Sequence, residues 1–322
     1  EVRHIALAGL IGVSGCATEV GGEDSTSTAI QASTTNPYVF LVLMENHDAS
    51  EIYDNTSSAP YINGTLLPKY AHATDYTTTV HPSEPNYIWL EAGSNNTGDH
   101  TFTTDGDPSS SNSTATTSHL VTQLKNAKLS WRSYQEGINS TTGCPVVSAA
   151  GSPEYYAAKH DPFVFFHDVS GNPPSKSNTV CSSHIKPLSN MAGDITAGNV
   201  PHCTFVTPDL CHDMHGATGC PFNLILAADT WLENNLPQMI SWVDAHRGVV
   251  FVVWDEGSSS SNGPMPMIAA GPHVKAGHAG SVAHTHSSTL KSIEDLGVPL
   301  LRHAAESGTN DLKDLFVSGF FP

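Results

Sequence analysis

Two unbroken apolar stretches constrain this chain more than any other feature: residues 38–44, Tyr-Val-Phe-Leu-Val-Leu-Met, and residues 249–254, Val-Val-Phe-Val-Val-Trp. Successive side chains of a strand point to opposite faces, so a run with no polar alternation must be covered on both faces. That pattern belongs to a central strand of a parallel sheet. Each run ends abruptly in polar residues, Glu45-Asn46-His47-Asp48 after the first and Asp255-Glu256-Gly257 after the second. Ligands of open α/β sheets gather beyond the carboxyl ends of the strands, so the two clusters are expected to face each other across one crevice. Either alone is an ordinary turn after a strand. Together they suggest a cation site, because carboxylate and amide oxygens are hard ligands for divalent metals.

Length and charge narrow the partners. A chain of 322 residues, 39% of them hydrophobic, suffices for one large α/β domain or two smaller ones. With 13 Lys and Arg against 31 Asp and Glu, the formal charge is -18. Neither nucleic acid nor an anionic bilayer surface is attracted to such a chain. An anionic substrate needs a bound cation or the 18 histidines, which charge below their ordinary pKa of about 6.5. Mild acid is the expected working range.

Residues 81–87 read His-Pro-Ser-Glu-Pro-Asn-Tyr, after a β-prone run at 76–80 and before a helix-compatible run at 86–92. Pro85 suits the first turn of a helix. Ser83 then lies at a helix N-terminus, where free N–H groups and the positive dipole end favour an anion such as phosphate. The plainer reading of the heptapeptide is a proline-bounded turn with Ser83 as N-cap.

Residues 5–13 form an apolar run too short to span a bilayer, ending in Val13-Ser14-Gly15-Cys16. An export signal over 1–16 with a lipobox-like Cys16 is expected, the alternative being an ordinary secretory signal. Residues 17–36 read as a flexible polar tether and 37–322 as a single globular domain. Export permits disulfides. Cys203 lies in a strand-like segment and is expected to be the buried free thiol, with Cys144 paired to Cys181 and Cys211 to Cys220, although sequence alone leaves connectivity open.

The remaining expected elements are a functional or disordered polar loop at 94–118, a helix at 119–128, strands at 130–134, 203–207 and 265–270, and an amphipathic helix at 231–245. A last helix is expected with Ser287 as cap and Leu290, Ile293 and Leu296 at helical spacing until Gly297.

In order, Glu45-Asn46-His47, residues 81–87, Lys159-His-Asp-Pro-Phe163, Asp213-Met-His215, Asp255-Glu256-Gly257 and His286 through Ile293-Glu-Asp295 resemble the phosphoesterase family of bacterial acid phosphatases and phosphatidylcholine-type phospholipases C, within the alkaline phosphatase superfamily. Ser83-Glu-Pro-Asn86 also resembles the Thr-Phe-Pro-Asn nucleophile motif of nucleotide pyrophosphatases. The resemblance covers roughly residues 37–300. It implies an alkaline-phosphatase-like α/β fold with a mostly parallel sheet and helices on both faces. It makes Ser83 the nucleophile, Glu45, Asn46, Asp255 and Glu256 ligands of a divalent cation, and Asn86 a phosphate contact. Asp213, His215 and His286 match positions that hold a second cation in two-metal relatives, or serve as acid–base groups where one ion suffices. His81 and His160 are expected to contact substrate. His212 and Asp161 stand where the family pattern has Asn.

The implied activity is metal-dependent hydrolysis of phosphoric monoesters through a phosphoserine. The alternatives are a phosphodiesterase or phospholipase C on the same site and a non-catalytic binding lipoprotein. The expected partners are a small phosphorylated substrate or a phospholipid head group, with membrane contact through a lipidated Cys16.

Overall fold

The computed structural model describes residues 36–320 except positions 79, 152, 153, 259, 260, 262 and 296. The expected leader with Cys16, nearly all of the expected tether, and Leu296 lie outside the described residues. Ten strands are described: β1 (Tyr38–Met44), β2 (Ala71–Ala73), β3 (Trp131–Gln135), β4 (Ala149–Gly151), β5 (Glu154–Tyr156), β6 (Ile185–Pro187), β7 (Cys203–Thr207), β8 (Gly248–Trp254), β9 (Met267–Ala270) and β10 (Ala279–Gly280). Eight form one sheet in the order β10-β2-β9-β8-β1-β7-β3-β6, and β4 with β5 make a separate antiparallel pair. From β8 to β6 every neighbouring pair is parallel, whereas β9 runs antiparallel to both β8 and β2.

The two apolar runs are the adjacent central strands. Every residue of β8 is buried, and β1 is buried beyond Tyr38, so both faces of the sheet are covered there. Their register pairs Met44 with Trp254, which sets the two acidic clusters side by side.

Among the described residues four α-helices run seven residues or more: α1 (Ser83–Ala92), α2 (Leu120–Asn126), α3 (Leu224–His246) and α4 (His286–Glu294). Helix α3 packs on β8 and β1 through Ala228, Trp231, Leu232, Leu236, Met239, Ile240 and Val243, at the spacing of one helical face. It starts seven residues before the expected Trp231, because Asn223 caps it by accepting from the Leu226 N–H at 3.1 Å. Helix α4 is capped by Thr285 rather than Ser287. Among the described residues of the β-prone run at 76–80 no strand forms. Tyr76 makes one isolated bridge to His284 and buries its ring, trading a ladder for side-chain contacts.

Cys144–Cys181 and Cys211–Cys220 are the two disulfides, and Cys203 is a buried free thiol, as expected. The polar loop at 94–118 is tied down rather than loose. Asp99 accepts from Thr114 and Ala115, and the Arg302 guanidinium donates to the carbonyls of Ser118 and Thr97.

Candidate active site

The site forms where β1, β7 and β8 end. The backbone ladder continues past the strands, Asp255 N–H donating to the Met44 carbonyl at 3.0 Å and Glu45 N–H to the Asp213 carbonyl at 2.8 Å. Glu45, Asp213 and Asp255, far apart in sequence, are thereby neighbours. The turn after β8 is tight. A Cβ on Gly257 would run into Asp48 Oδ1 and Ser261, so a side chain there would push the Asp255–Glu256 corner away from β1.

Ser83 is the first residue of α1, with Pro82 before it at the cap position. Its hydroxyl does not cap the helix. It is buried and donates to Glu45 Oε2 at 3.0 Å, with Glu256 Oε1 at 3.3 Å. Asn46, in the left-handed region at φ 49°, donates its side-chain amide to Glu45 Oε2 at 3.0 Å and its backbone N–H to Asp255 Oδ1 at 3.2 Å. His81 Nδ1 lies 2.5 Å from Glu256 Oε2. One hydroxyl, three carboxylates, an amide and an imidazole thus meet at the mouth of α1.

Behind Glu45 stands His160, stacked on Tyr87 with ring centroids 5.0 Å apart. Its Nδ1 is 3.1 Å from Asp213 Oδ2, and its Nε2 approaches Glu45 Oε1 to 3.0 Å at an angle that makes no hydrogen bond. Burial opposes charge on the ring, but Glu45 and Asp213 outweigh it and raise His160 to about 9. Burial also opposes ionisation of Glu45, yet His160, with His215 and Lys159, holds that carboxyl at about 2. Asp255 has no such partner. Burial first, then the charges of Glu45 and Glu256, push it well above the carboxylate range.

Glu45 Oε1 and Asp255 Oδ2 are buried with no hydrogen-bond partner among the described residues. Buried carboxylate oxygens without hydrogen bonds are costly, even where, as at Glu45 Oε1, an imidazole stands 3.0 Å away, and a divalent cation would satisfy them. The donor set therefore fits such an ion. Among the described residues, the three-ligand groupings are Glu45–His160–His215 and, apart from it, Glu136–Asp209–His212. Glu45, Asp255 and Glu256 do not converge as closely. They are linked through Ser83 and Asn46.

Several expected residues stand elsewhere or do something else. Asn86 is not open to a phosphate: its amide donates to the carbonyls of Val80 (2.8 Å) and Pro82 (3.2 Å) and accepts from Thr78 (2.8 Å). It fixes the loop that presents Ser83. His160 is 2% exposed and committed to two acids, so it positions them rather than touching substrate. His286 does not join Asp213 and His215. Its Nε2 sits 2.5 Å from the Asp255 carbonyl and its Nδ1 3.0 Å from the Tyr76 hydroxyl, and burial lowers it to about 4, so the ring is neutral. Asp213 accepts from the His215 N–H at 2.7 Å as well as facing His160. His215 points its Nδ1 at the Gly216 carbonyl (2.9 Å), leaving Nε2 to accept from Lys159 Nζ at 3.1 Å. His212 lies outside this site, between Glu136 and Asp209, which lift it to about 10. Asp161 is buried beside the Tyr156 hydroxyl and raised by burial to about 8.

Sequence reasoning missed Lys159 and Tyr87, although both lie inside motifs that carry the family resemblance. The signal for Lys159 was its place beside His160 in a chain poor in cations.

The sequence signature described as Phosphoesterase family matches residues 53–297. The chain is 29% identical to a phosphatidylinositol-3-phosphatase of Mycobacterium tuberculosis, over 95% of this chain and 92% of that protein. It is 26% identical to a phosphate-repressible acid phosphatase of Penicillium chrysogenum over 74% of this chain, spanning 55% of that relative's length. Among solved structures, a phosphonate monoester hydrolase of Agrobacterium radiobacter superposes with TM-score 0.54 at 11% identity, over 87% of this chain and 77% of that one. A protein of the alkaline phosphatase superfamily from Vibrio parahaemolyticus gives TM-score 0.52 at 10% identity, covering 84% and 70%. These two likenesses establish the fold.

Proposed function

The chain belongs to the Phosphoesterase family and is a hydrolase of phosphoric esters, and from that premise we propose that it cleaves phosphate monoesters through a phosphoserine at Ser83 with the help of a divalent cation. The observation that carries the reading is the position of Ser83 Oγ. It lies buried at the N-terminus of α1, bonded to Glu45 and within reach of Glu256.

Glu45, Asn46, Asp255 and Glu256 are the residues that would hold the cation. When bound, it would act as a Lewis acid, drawing charge from the serine oxygen and from a phosphoryl oxygen. Ser83 Oγ attacks phosphorus as the bond to the leaving oxygen breaks. The serine proton passes to a carboxylate that its hydroxyl faces, Glu45 or Glu256. In the first turn of α1 the Ser83 N–H is the donor that can meet a phosphoryl oxygen, because Glu84 N–H donates to Asp105 and Pro85 has none. The departing alcohol takes its proton from water, since both ring nitrogens of His286 are engaged elsewhere, and the proton taken from Ser83 returns to its oxygen in the second step as the attacking water gives one up. Water then attacks the phosphoserine, releasing inorganic phosphate and restoring the Ser83 hydroxyl.

The relative named for a phosphoinositide supports a small phosphorylated substrate or a phospholipid head group. The disulfides support export to an oxidising compartment, with attachment through Cys16 as part of the same proposal. A second reading, diester cleavage, is favoured by a pocket of about 310 Å³ beside His215 with room for another substituent.

Rapid acid quench during turnover tests the mechanism. Phosphate is expected on the peptide spanning residues 81–87, and Ser83→Ala should lose roughly a thousandfold in kcat while still binding phosphate. Near-normal turnover in Ser83→Ala, with no phosphopeptide from the wild type, would reduce Ser83 to a helix-initiating residue.

A further inference from the structure

The site just described is acidic, and it is offered to an anion. Among the described residues, Lys159 is the Lys or Arg whose charge reaches Glu45 and Asp255. Its place is fixed from two sides. Nζ donates to Asp105 Oδ2 at 2.7 Å and to His215 Nε2 at 3.1 Å. Asp105 in turn accepts the Glu84 N–H at 3.0 Å, so the first turn of α1, one residue from the nucleophile, is tied through one carboxylate to the ammonium. The lysine side chain is 16% exposed.

Lys159 lines the pocket of about 310 Å³. The lining combines polar residues, Asp105, Ser148, Lys159 and His215 among them, with the apolar Ala157 and Leu210. A phosphate monoester presents three non-bridging oxygens carrying up to two charges. A diester presents two such oxygens and one charge, its third oxygen being masked by the second substituent. A fixed cation on the pocket wall distinguishes the two by charge, while the pocket itself has room for either.

Resting on the phosphoesterase reading, we infer that Lys159, held by Asp105, contacts the substrate phosphoryl group and selects monoesters over diesters. Asp105 is then a positioning residue. Its loop, at 94–118, acts on the chemistry through the lysine rather than by touching substrate. The polar loop and the Lys159-His-Asp-Pro-Phe163 motif thereby acquire a shared role.

The experiment compares the wild-type chain with Lys159→Met on p-nitrophenyl phosphate and on bis(p-nitrophenyl) phosphate, which share a leaving group. Inorganic phosphate binding is measured by titration calorimetry alongside. Monoester kcat/KM is expected to fall about a hundredfold, the scale of losing one fixed donor to a phosphoryl oxygen. Diester kcat/KM should fall less than about tenfold, phosphate binding should weaken, and Lys159→Arg should recover most of the monoester rate. Equal losses on both esters with unchanged phosphate binding would overturn the inference, as would no loss on either. A wild type that hydrolyses neither ester refutes the proposed function instead, and phosphate binding still reports on Lys159. If Lys159→Met does not fold, Lys159→Gln gives the same readout.

Discussion

Two buried histidines in this molecule are each held between two carboxylates. At the ends of β1, β7 and β8, His160 lies between Glu45 and Asp213. Behind α1, His119 lies with Nδ1 2.8 Å from Glu91 and Nε2 3.1 Å from Asp168. In both, the acids overcome the cost of burial and raise the ring to about 9. The difference is in what surrounds them. Around His119 the Val121 N–H and the Thr122 hydroxyl add to the bonding of the acids, Glu91 Oε2 staying without a hydrogen-bond partner, and among the described residues no serine hydroxyl is bonded to either acid. The remaining excess of negative charge there is met by a proton, since burial raises Glu294, within the field of Glu91, to about 9. Around His160 the oxygens of Glu45 and Asp255 that lack a hydrogen bond lie beside a serine hydroxyl at a helix N-terminus. A histidine bridging two acids is therefore no mark of a site. Unsatisfied oxygens gathered beside a nucleophile are.

The comparison breaks if the two clusters respond alike to losing a carboxyl group. Asp255→Asn is expected to lower activity on the order of a thousandfold or more by weakening cation binding, and to change stability without added metal by less than about 1 kcal/mol, because burial and the charges of Glu45 and Glu256 already hold Asp255 in its neutral form. Glu91→Gln should leave kcat within about threefold and cost about 3 kcal/mol of stability, the scale of breaking a buried pair. Steady-state rates and urea unfolding on the same preparations decide it, and a folded Glu91→Gln protein without activity would erase the distinction.

Dependence on pH sharpens the same contrast with a smaller effect. His119 binds its proton more tightly folded, up to about 9, than unfolded at about 6.5, so its contribution is full below 6.5 and lost as pH rises through 9. Glu294, raised to about 9 from 4.5, has the same sign, because the folded state again binds the extra proton. The melting temperature should fall by several degrees between pH 6.5 and 9, and His119→Gln should flatten that slope. A melting temperature that rises over this window would show that the back cluster is not held by protons.

Much of the centre of the molecule could be read from the chain. Residues 38–44 coincide with a strand because a buried parallel strand needs an uninterrupted apolar run, and the expected strand at 203–207 also forms, buried throughout although Thr204 and Thr207 interrupt its apolar residues. The polar residues after β1 and β8 meet because parallel register aligns strand ends. What could not be read is the direction in which a side chain makes its bonds. Asn86 sits where its motif puts it, one turn from Ser83, yet faces the carbonyls of its own loop. His286 reaches a backbone carbonyl because Tyr76, expected in a strand, turns inward instead. Both outcomes depend on packing between distant segments, which spacing along the chain does not encode.

The acids of the site continue directly from β1 and β8, the adjacent middle strands of an eight-stranded sheet. Edges and connecting segments of a protein open locally at low free energy, but its central strands exchange their amide hydrogens only when the whole molecule opens. The machinery thus hangs on the part of the chain that lets go last. During denaturation, residual turnover should track the most protected amides of β1 and β8 rather than the fraying of outlying segments, which makes a simple rate assay a gauge of the intact core.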